Sequence, residues 1–518
     1  MPIRKFRNSY PIFILVSCLL ILMPCPQSAQ AQEPTPDPRF GVVQTFDDFE
    51  AANELGVGFT RVKFYWDTFQ PNNPDEWQPA NIPDPLIATD LAAGRQVVGL
   101  IVRTPAWARD TTHPAYNPNQ PNGKDVPDMP AWGDFVERLI TQYKDRIQHW
   151  IIWNEPDVWD TAHPGSTWHG NEREFVELHK TAYLAIKKAD PQAKVYLTGL
   201  TFFWDYEYHQ PQYLGRLLSI IINDPQAEAN NFYFDGVTYH LYYKPQMNYD
   251  ILSQIQFMLD VYGLSDKEIW LNETNAAPSQ DPIEPPHFRE LPFEVTLSEQ
   301  SAFMIQIHAL AFAAGLERVQ QYKLTNSTDH PEDVRPFGLV RGDQSHRPAF
   351  AAYQVVTRYL AGFETVELYR QAGVTLLIFK RSDEAITVVW NETPTPRLVT
   401  IQAQADQAML VDETGHAEPL PALAGTYHLK LPPAECSGGD CFIGGAPRLL
   451  VEIPDSVSLN ARFTVDVPAE SPESSWINAM GQFNLSKRRL VALGFGGLVL
   501  ISMIGVGGWL ILDANKSG

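Results

Sequence analysis

The sequence predicts an α/β protein: a (β/α)₈ barrel over residues 40–362, then a small all-β sandwich, then a C-terminal membrane-spanning helix. Three observations predict it. From Phe40 to about Gly362, short β-rich runs alternate with longer helical ones, the pattern of a parallel sheet covered by helices. Beyond Gly362 the helical runs stop and the β-rich ones continue. Near the end, Leu490 to Leu512 is almost entirely apolar.

The chain opens on the basic stretch Met1-Pro2-Ile3-Arg4-Lys5-Phe6-Arg7 and an apolar run from Pro11 to Met23, closed by Ala29-Gln30-Ala31. That is the plan of a cleaved signal peptide over 1–31, and the apolar run is short for a span. Residues 32–39 read as a proline-stiffened leader. Barrel strands are expected at 40–45, 59–65, 96–102, 148–153, 194–199, 234–240, 268–273 and 318–323. Helices are expected at 47–55, 130–146, 172–189, 212–222, 249–262, 297–314 and 349–361. The clearest is 172–189, where Phe175, Val176, Leu178, Ala182, Ala185 and Ile186 form one apolar stripe. A doubly wound sheet is the structural alternative, although no Gly-rich turn follows the first strand.

Runs such as 374–379 and 385–390, with 399–402, 407–411, 425–430 and 448–453, give the β-sandwich over 363–454, either a structural cap or a sugar-binding appendage. Residues 455–489 turn polar and proline-containing and read as a stalk. The 23 residues from Leu490 to Leu512 suffice to cross roughly 30 Å of hydrocarbon, so 490–512 reads as an anchor and 513–518 as a tail. Lys487, Arg488 and Arg489 precede this span and only Lys516 follows it, which by the positive-inside bias puts the cluster in the cytoplasm. A cleaved signal puts it outside, and a large translocated domain fixes topology largely regardless of nearby charge. The expectation is a protein exported and held at the cell surface by its C-terminal helix.

The net charge of −22 excludes nucleic acid as a partner, because phosphate binding needs clustered Lys and Arg. The 13 Trp and 20 Tyr are mostly barrel core, but aromatic faces also stack on sugar rings. Cys18 and Cys25 leave with the signal segment. Cys436 and Cys441 flank a Ser-Gly-Gly-Asp loop that brings them within disulfide reach in an oxidising compartment; two free thiols is the alternative. No His, Cys, Asp or Glu cluster has metal-ligand spacing, so neither a metal nor another cofactor is expected, and no protein partner is evident.

Two segments carry the chemistry. His149-Trp150-Ile151-Ile152-Trp153-Asn154-Glu155-Pro156-Asp157 is an apolar strand ending in polar residues and a proline, so its last side chains arrive at the C-terminal mouth of the barrel. Glu268-Ile269-Trp270-Leu271-Asn272-Glu273 is a second buried strand ending in a carboxylate. The two glutamates are 118 positions apart, three βα units, which places them on strands four and seven across a narrow mouth.

Asn154-Glu155-Pro156 on strand four, with Glu273 closing strand seven, resembles clan A of the retaining glycoside hydrolases, over roughly residues 40–360. The Trp and Pro texture of strands two to four is similar to the xylosidase- and iduronidase-like branch. The resemblance implies a carbohydrate substrate, Glu155 as acid/base, Glu273 as nucleophile and Asn154 on the substrate 2-hydroxyl. Such chemistry calls for a protonated carboxylic acid at the leaving oxygen and an ionised carboxylate at C1. The resemblance also implies that Arg61, in Thr60-Arg61-Val62-Lys63, sits beside the nucleophile; the alternative is an ion pair elsewhere in the barrel. In Tyr239-His240-Leu241-Tyr242 it gives His240 or Tyr242 a hydrogen bond near Glu273, against a core-satisfied histidine. Trp66, Trp107 and Trp159 follow strands two, three and four and line sugar subsites or pack the core. The pattern departs at strand eight, where Gln320-Gln321-Tyr322-Lys323 stands in place of the clan's tryptophan, with Tyr322 as the substitute. Two other readings stay open: a transglycosylase acting on envelope glycans, and a catalytically silent glycan-binding barrel.

Overall fold

The structure is a computed structural model that describes residues 35–78, 84–119, 123–284, 295–326, 336–437 and 441–466. Eight parallel strands close into a barrel in sequence order: β1 (Phe40–Val43), β2 (Phe59–Tyr65), β3 (Gln96–Val102), β4 (His149–Asn154), β5 (Lys194–Leu200), β6 (Gly236–Leu241), β7 (Glu268–Thr274) and β8 (Arg318–Gln321). Closure is direct, with Gly41 of β1 in register with Phe59 of β2 on one side and Gln320 of β8 on the other. Their burial is near-continuous because helices cover the outer face, which is why these strands read as apolar runs.

The helices are α1 (Phe49–Glu54), α2 (Trp66–Phe69), α3 (Asp84–Ala92), α4 (Met129–Tyr143), α5 (Glu172–Ala189), α6 (Phe203–Glu207), α7 (Tyr213–Ile221), α8 (Met247–Val261), α9 (Leu297–Ala314) and α10 (Pro348–Leu360). α5 starts at a capping box, in which the Asn171 side chain accepts from Arg173 N and Glu174 N while the Glu174 carboxylate accepts from Asn171 N. α9 starts the same way on Thr296 and Glu299 and stops at Gly315, whose φ of 100° suits a residue without a Cβ. α9 is buried all round, between the barrel and the β-domain.

After α10 come β9 (Thr365–Gln371), β10 (Val374–Arg381), β11 (Glu384–Asn391), β12 (Arg397–Gln402), β13 (Gln407–Val411), β14 (Ala417–Pro421), β15 (Thr426–Leu431), β16 (Arg448–Glu452) and β17 (Phe463–Asp466). They form a six-stranded sheet in the order β14-β13-β16-β11-β10-β9 and a three-stranded sheet in the order β15-β12-β17. One face of the larger sheet (Leu377, Phe379, Ile386, Val388, Trp390) belongs to the same core as the barrel, and Gln306 of α9 donates to the Gly444 and Gly445 carbonyls at 3.0 and 3.1 Å. The other face, with Leu376, Ile378 and Val389, packs on Val399, Tyr427 and Leu429 of the smaller sheet. Cys436 and Cys441 are disulfide-bonded.

Several short elements were not expected from the sequence, among them α3 and β17. α3 fills a stretch between β2 and β3 with no helix expected, because its apolar residues form no clear stripe and only Ile87 and Asp90 are buried. β17 lies inside the segment read as a stalk and pairs with β12 through Val399↔Val465 and Ile401↔Phe463. The signal segment 1–31, the stalk beyond Asp466 and the apolar run 490–512 lie outside the described residues; among the described residues no helix is long and apolar enough to cross a membrane.

Candidate active site

At the C-terminal mouth, β4 delivers Asn154 and Glu155 through a distorted backbone. Trp153 (φ 70°) and Glu155 (φ 48°) both adopt the left-handed region, which costs a non-glycine residue on the order of 1 kcal/mol or more. The surroundings hold them there. Glu155 N donates to the Gly199 carbonyl at 2.9 Å, the Trp153 indole donates to Thr167 O at 3.1 Å, and the Thr167 hydroxyl bonds the Asn154 and Glu155 carbonyls.

β7 delivers Glu273 through a bulge. Tyr239 of β6 pairs with Leu271, but the next residue, His240, pairs with Glu273, so Asn272 is the extra residue. A bulge of this kind re-aims side chains, and both Asn272 and Glu273 reach the same arginine instead of opposite faces. The Arg61 guanidinium pairs with Glu273 Oε1, and Tyr242 Oη donates to Glu273 Oε2 at 2.7 Å. The Asn272 amide, turned so that its oxygen accepts from Arg61 Nη1 (3.2 Å), donates to His240 Nε2 (3.1 Å) and to the Tyr239 carbonyl (2.9 Å). The Gln320 amide, oriented by the same logic, accepts from Arg61 N at 3.2 Å.

That arrangement assigns a tautomer to His240. With Nε2 accepting from Asn272, the ring proton sits on Nδ1, which lies 2.6 Å from Glu155 Oε1 and 3.5 Å from Glu273 Oε2. One imidazole therefore links both carboxylates. Its position depends on Gly199, where a Cβ would fall 2.1 Å from His240 Nε2.

The charge pattern is asymmetric. Burial alone would raise the Glu273 carboxyl, but His240, Arg61, Lys63 and the Tyr242 hydroxyl outweigh it and hold the group well below the ordinary carboxylate range. Arg61 and Lys63 act in this direction whatever the state of the imidazole. Burial likewise pushes the Tyr242 hydroxyl far up, so it stays a donor. Two positions beyond Glu155, burial pushes Asp157 up to about 7, against the opposing hydrogen bond from Thr201 and with the Glu155 charge adding to it.

The structure brings together Arg61, Glu155, His240, Tyr242 and Glu273. Asn154 is adjacent, its Oδ1 buried without a partner among the described residues. Tyr322 is half-buried, edge-on to Tyr242 at 6.2 Å between centroids. Trp66 is a correction. It is fully buried, stacked on Phe135 at 5.2 Å with its indole donating to Gln70, because the chain turns into α2 at that residue and carries the ring into the core. Trp107 is half-buried, edge-on against Trp66 and hydrogen-bonded to the Gln70 carbonyl. Lys63, Asn272, Gln320, Gly199 and Asp157 were not singled out. Only Lys63 carried a signal, lying two residues from Arg61 on the same face of β2.

Donor atoms of Glu155, His240 and Glu273 lie within 4.8 Å of one another, close enough to hold a cation. Arg61 on Glu273 and the Nδ1 proton shared toward both carboxylates already fill that role, so the donor set does not suit a metal.

One comparison with known proteins falls on this same region. The model of glycoside hydrolase family 44 matches residues 106–249, which include Glu155 and His240. A β-xylosidase from Caldicellulosiruptor saccharolyticus is 35% identical over 71 residues, 12% of this chain and 14% of that enzyme, so the match spans about a seventh of the relative's length. Among solved structures, a family 39 glycoside hydrolase from Bacteroides cellulosilyticus WH2 superposes with a TM-score of 0.61 at 17% identity, over 80% of this chain and 81% of that one. A family 30 subfamily 8 xylanase from Clostridium acetobutylicum does so with a TM-score of 0.52 at 14% identity, over 80% and 95%. In sequence and in fold, the likeness is to glycoside hydrolases.

Proposed function

We propose that this chain is a retaining glycosidase that cleaves O-glycosidic bonds by double displacement. The observation that carries the reading is the distance between the two carboxylates. Their nearest oxygens lie within 4.8 Å of each other and one imidazole faces both, a close pairing of the kind that a retaining enzyme, with carboxyl groups roughly 5–5.5 Å apart, requires. In the first step the ionised Glu273 attacks C1 while Glu155 gives its proton to the departing oxygen, leaving a glycosyl ester on Glu273. In the second, Glu155 takes a proton from water, which attacks C1 from the vacated side and frees Glu273. Arg61 and Tyr242 keep Glu273 ionised and aimed, and His240 orients Glu155 through Oε1, leaving Oε2 for the leaving group. Asn154, which ends β4 beside Glu155, is placed on the acid/base side for the substrate 2-hydroxyl that its motif implies.

The β-xylosidase and xylanase likenesses make aryl β-xylosides the first probes, with β-glucosides and other aryl glycosides beside them. In an NMR time course the first-formed sugar should keep the substrate's anomeric configuration. Inverted product would end the double-displacement reading, and no cleavage of any glycoside or polysaccharide would end the enzyme reading.

The location belongs to the same proposal. The signal-like segment 1–31, the apolar run 490–512 and the disulfide between Cys436 and Cys441 support an exported enzyme anchored by its C-terminus. Full-length protein should partition with membranes; recovery in the aqueous phase without detergent would remove the anchor.

A further inference from the structure

Glu273 is gripped at Oε2 by the Tyr242 hydroxyl, and that grip is only as firm as the seat of the Tyr242 ring. Two other rings flank it. Phe337 lies 5.2 Å away between centroids and tilted by 53°, and Tyr322 lies 6.2 Å away at 84°. Phe337 and Tyr322 meet each other edge-on at 5.8 Å. Tilted ring contacts of this kind fix the plane of a ring as well as its place. Phe337 is buried, so it bears on Tyr242 rather than on a substrate.

The chain at Phe337 is in turn locked by a charged cluster that the two-carboxylate chemistry does not use. Asp281, in the segment after β7, accepts from Arg341 Nε and Arg347 Nε, each at 2.8 Å. All three side chains are 5% exposed or less. Arg347 also pairs with Glu284 at 2.8 Å and donates to the carbonyl of Gly338, the residue after Phe337. Gly338 N donates to Asn326 Oδ1 at 2.7 Å, and a Cβ on Gly338 would fall 2.4 Å from Asn326 N, so the seat has no slack. From the other side Asn275, two residues past Glu273, donates to the Phe337 and Tyr322 carbonyls at 2.7 and 2.8 Å. The segments after β7 and β8 therefore hold Phe337 between them.

Two guanidiniums and two carboxylates balance in charge, yet burying them adds little net stability, because desolvation offsets the attraction. Their directional bonds do impose one geometry. We propose that this cluster serves position: Phe337 is a positioning residue for the nucleophile, seated by Asp281 and its two arginines, and it acts by holding the Tyr242 hydroxyl on Glu273. The proposal rests on the retaining-glycosidase reading above. The alternative is that the cluster only ties two loops together.

The test is a double-mutant cycle in the full-length protein, on the aryl glycoside that the parent cleaves best. Phe337→Leu stays apolar but loses the ring, which frees Tyr242 to swing off Glu273. The single-turnover rate of glycosyl-enzyme formation should fall about tenfold, since a small misplacement of a reacting group is costly. Substrate affinity should change by about twofold or less, and the acid limb should move upward because the ionised Glu273 has lost a donor. In a Tyr242→Phe background, with no hydroxyl to hold, the same Phe337→Leu change should cost about twofold or less. Asp281→Asn should repeat the pattern with a lowered Tm. Glu284→Gln, at the more exposed edge of the cluster, should repeat it more weakly and serves if Asp281→Asn does not fold. Equal losses in both backgrounds, or a lowered Tm with rate and acid limb unchanged, would overturn the proposal while the retaining-glycosidase reading stands. A parent that cleaves no glycoside takes both down.

Discussion

Glu155 and Glu273 end two buried strands of one barrel, yet their surroundings are opposites. The Glu273 side chain is 8% exposed and gripped by Arg61 and Tyr242, with Lys63 adding positive charge. The Glu155 side chain is 25% exposed, sits on a left-handed backbone and, among the described residues, is held by His240 Nδ1 at a single oxygen. The contrast teaches how one fold assigns two roles to one residue type. A carboxylate fixed at both oxygens among cations stays ionised and rigid, as attack on C1 requires; one held at a single oxygen keeps the other for passing a proton.

The largest expected effects break the comparison at its two centres. Glu273→Ala removes the attacking atom and should lower turnover of every substrate by on the order of 10⁶-fold, the scale of losing a nucleophile. Glu155→Ala should lower turnover of sugar leaving groups by roughly 10²–10⁴-fold and leave the first step on dinitrophenyl glycosides nearly intact, because that leaving group needs little protonation. Steady-state and single-turnover kinetics on both substrate types would separate the two. Equal losses on both would mean the asymmetry has no chemical consequence.

Arg61→Met probes what holds Glu273 ionised. Breaking a fully buried ion pair from one side costs about 3–5 kcal/mol, to be read as a drop in Tm. The sign follows from the lowered Glu273 value: the stabilisation is complete above the unfolded carboxylate range and is lost as pH falls through the folded value. The variant should therefore lose more stability at neutral pH than at low pH, and the acid limb of kcat/KM should move upward. A limb that stays in place would assign the ionised state to other groups.

How much of this was legible in the sequence differs by region. The barrel strands were, because sheet strands covered on both faces must be continuously apolar, and each catalytic candidate stood where such a run turned polar. Arg61, His240 and Tyr242 were named on resemblance and do reach the two glutamates. Trp66 was misassigned because following a strand does not distinguish a ring facing the cleft from one that the next helical turn carries inward. Asn272 was invisible because alternation puts it opposite Glu273, and only the bulge puts both on Arg61. In the β-domain, β9 and β14 are largely exposed edge strands, so they lack the apolar run that marked β10 and β11.

Gly199→Ala sharpens the comparison at the histidine joining the two carboxylates. A Cβ there displaces His240, and a misplacement of about 1 Å can cost roughly 10²-fold in kcat. The loss should be greater on substrates that need Glu155 as acid than on dinitrophenyl glycosides; equal losses would place the damage in Glu273 or in the fold.

The smallest effect concerns Asp157. Its folded value of about 7 lies above the model-peptide value of 3.8, so the native state holds the proton more tightly, and its contribution to stability falls as pH rises from about 4 to 7. Asp157→Asn cannot ionise, so its Tm should change less between pH 5 and pH 8 than the parent's. An unchanged pH dependence would mean that the three donors from Thr201 and Phe202 keep Asp157 ionised throughout.

The assignment of roles is tested most directly by the stereochemistry of azide rescue. In Glu273→Ala, azide fills the vacated nucleophile site, attacks C1 directly and should give a glycosyl azide of inverted configuration. In Glu155→Ala, a dinitrophenyl glycoside still forms the ester on Glu273, and azide should release it as a glycosyl azide of retained configuration. Opposite configurations from the two variants are the result this account predicts; the same configuration from both would contradict it.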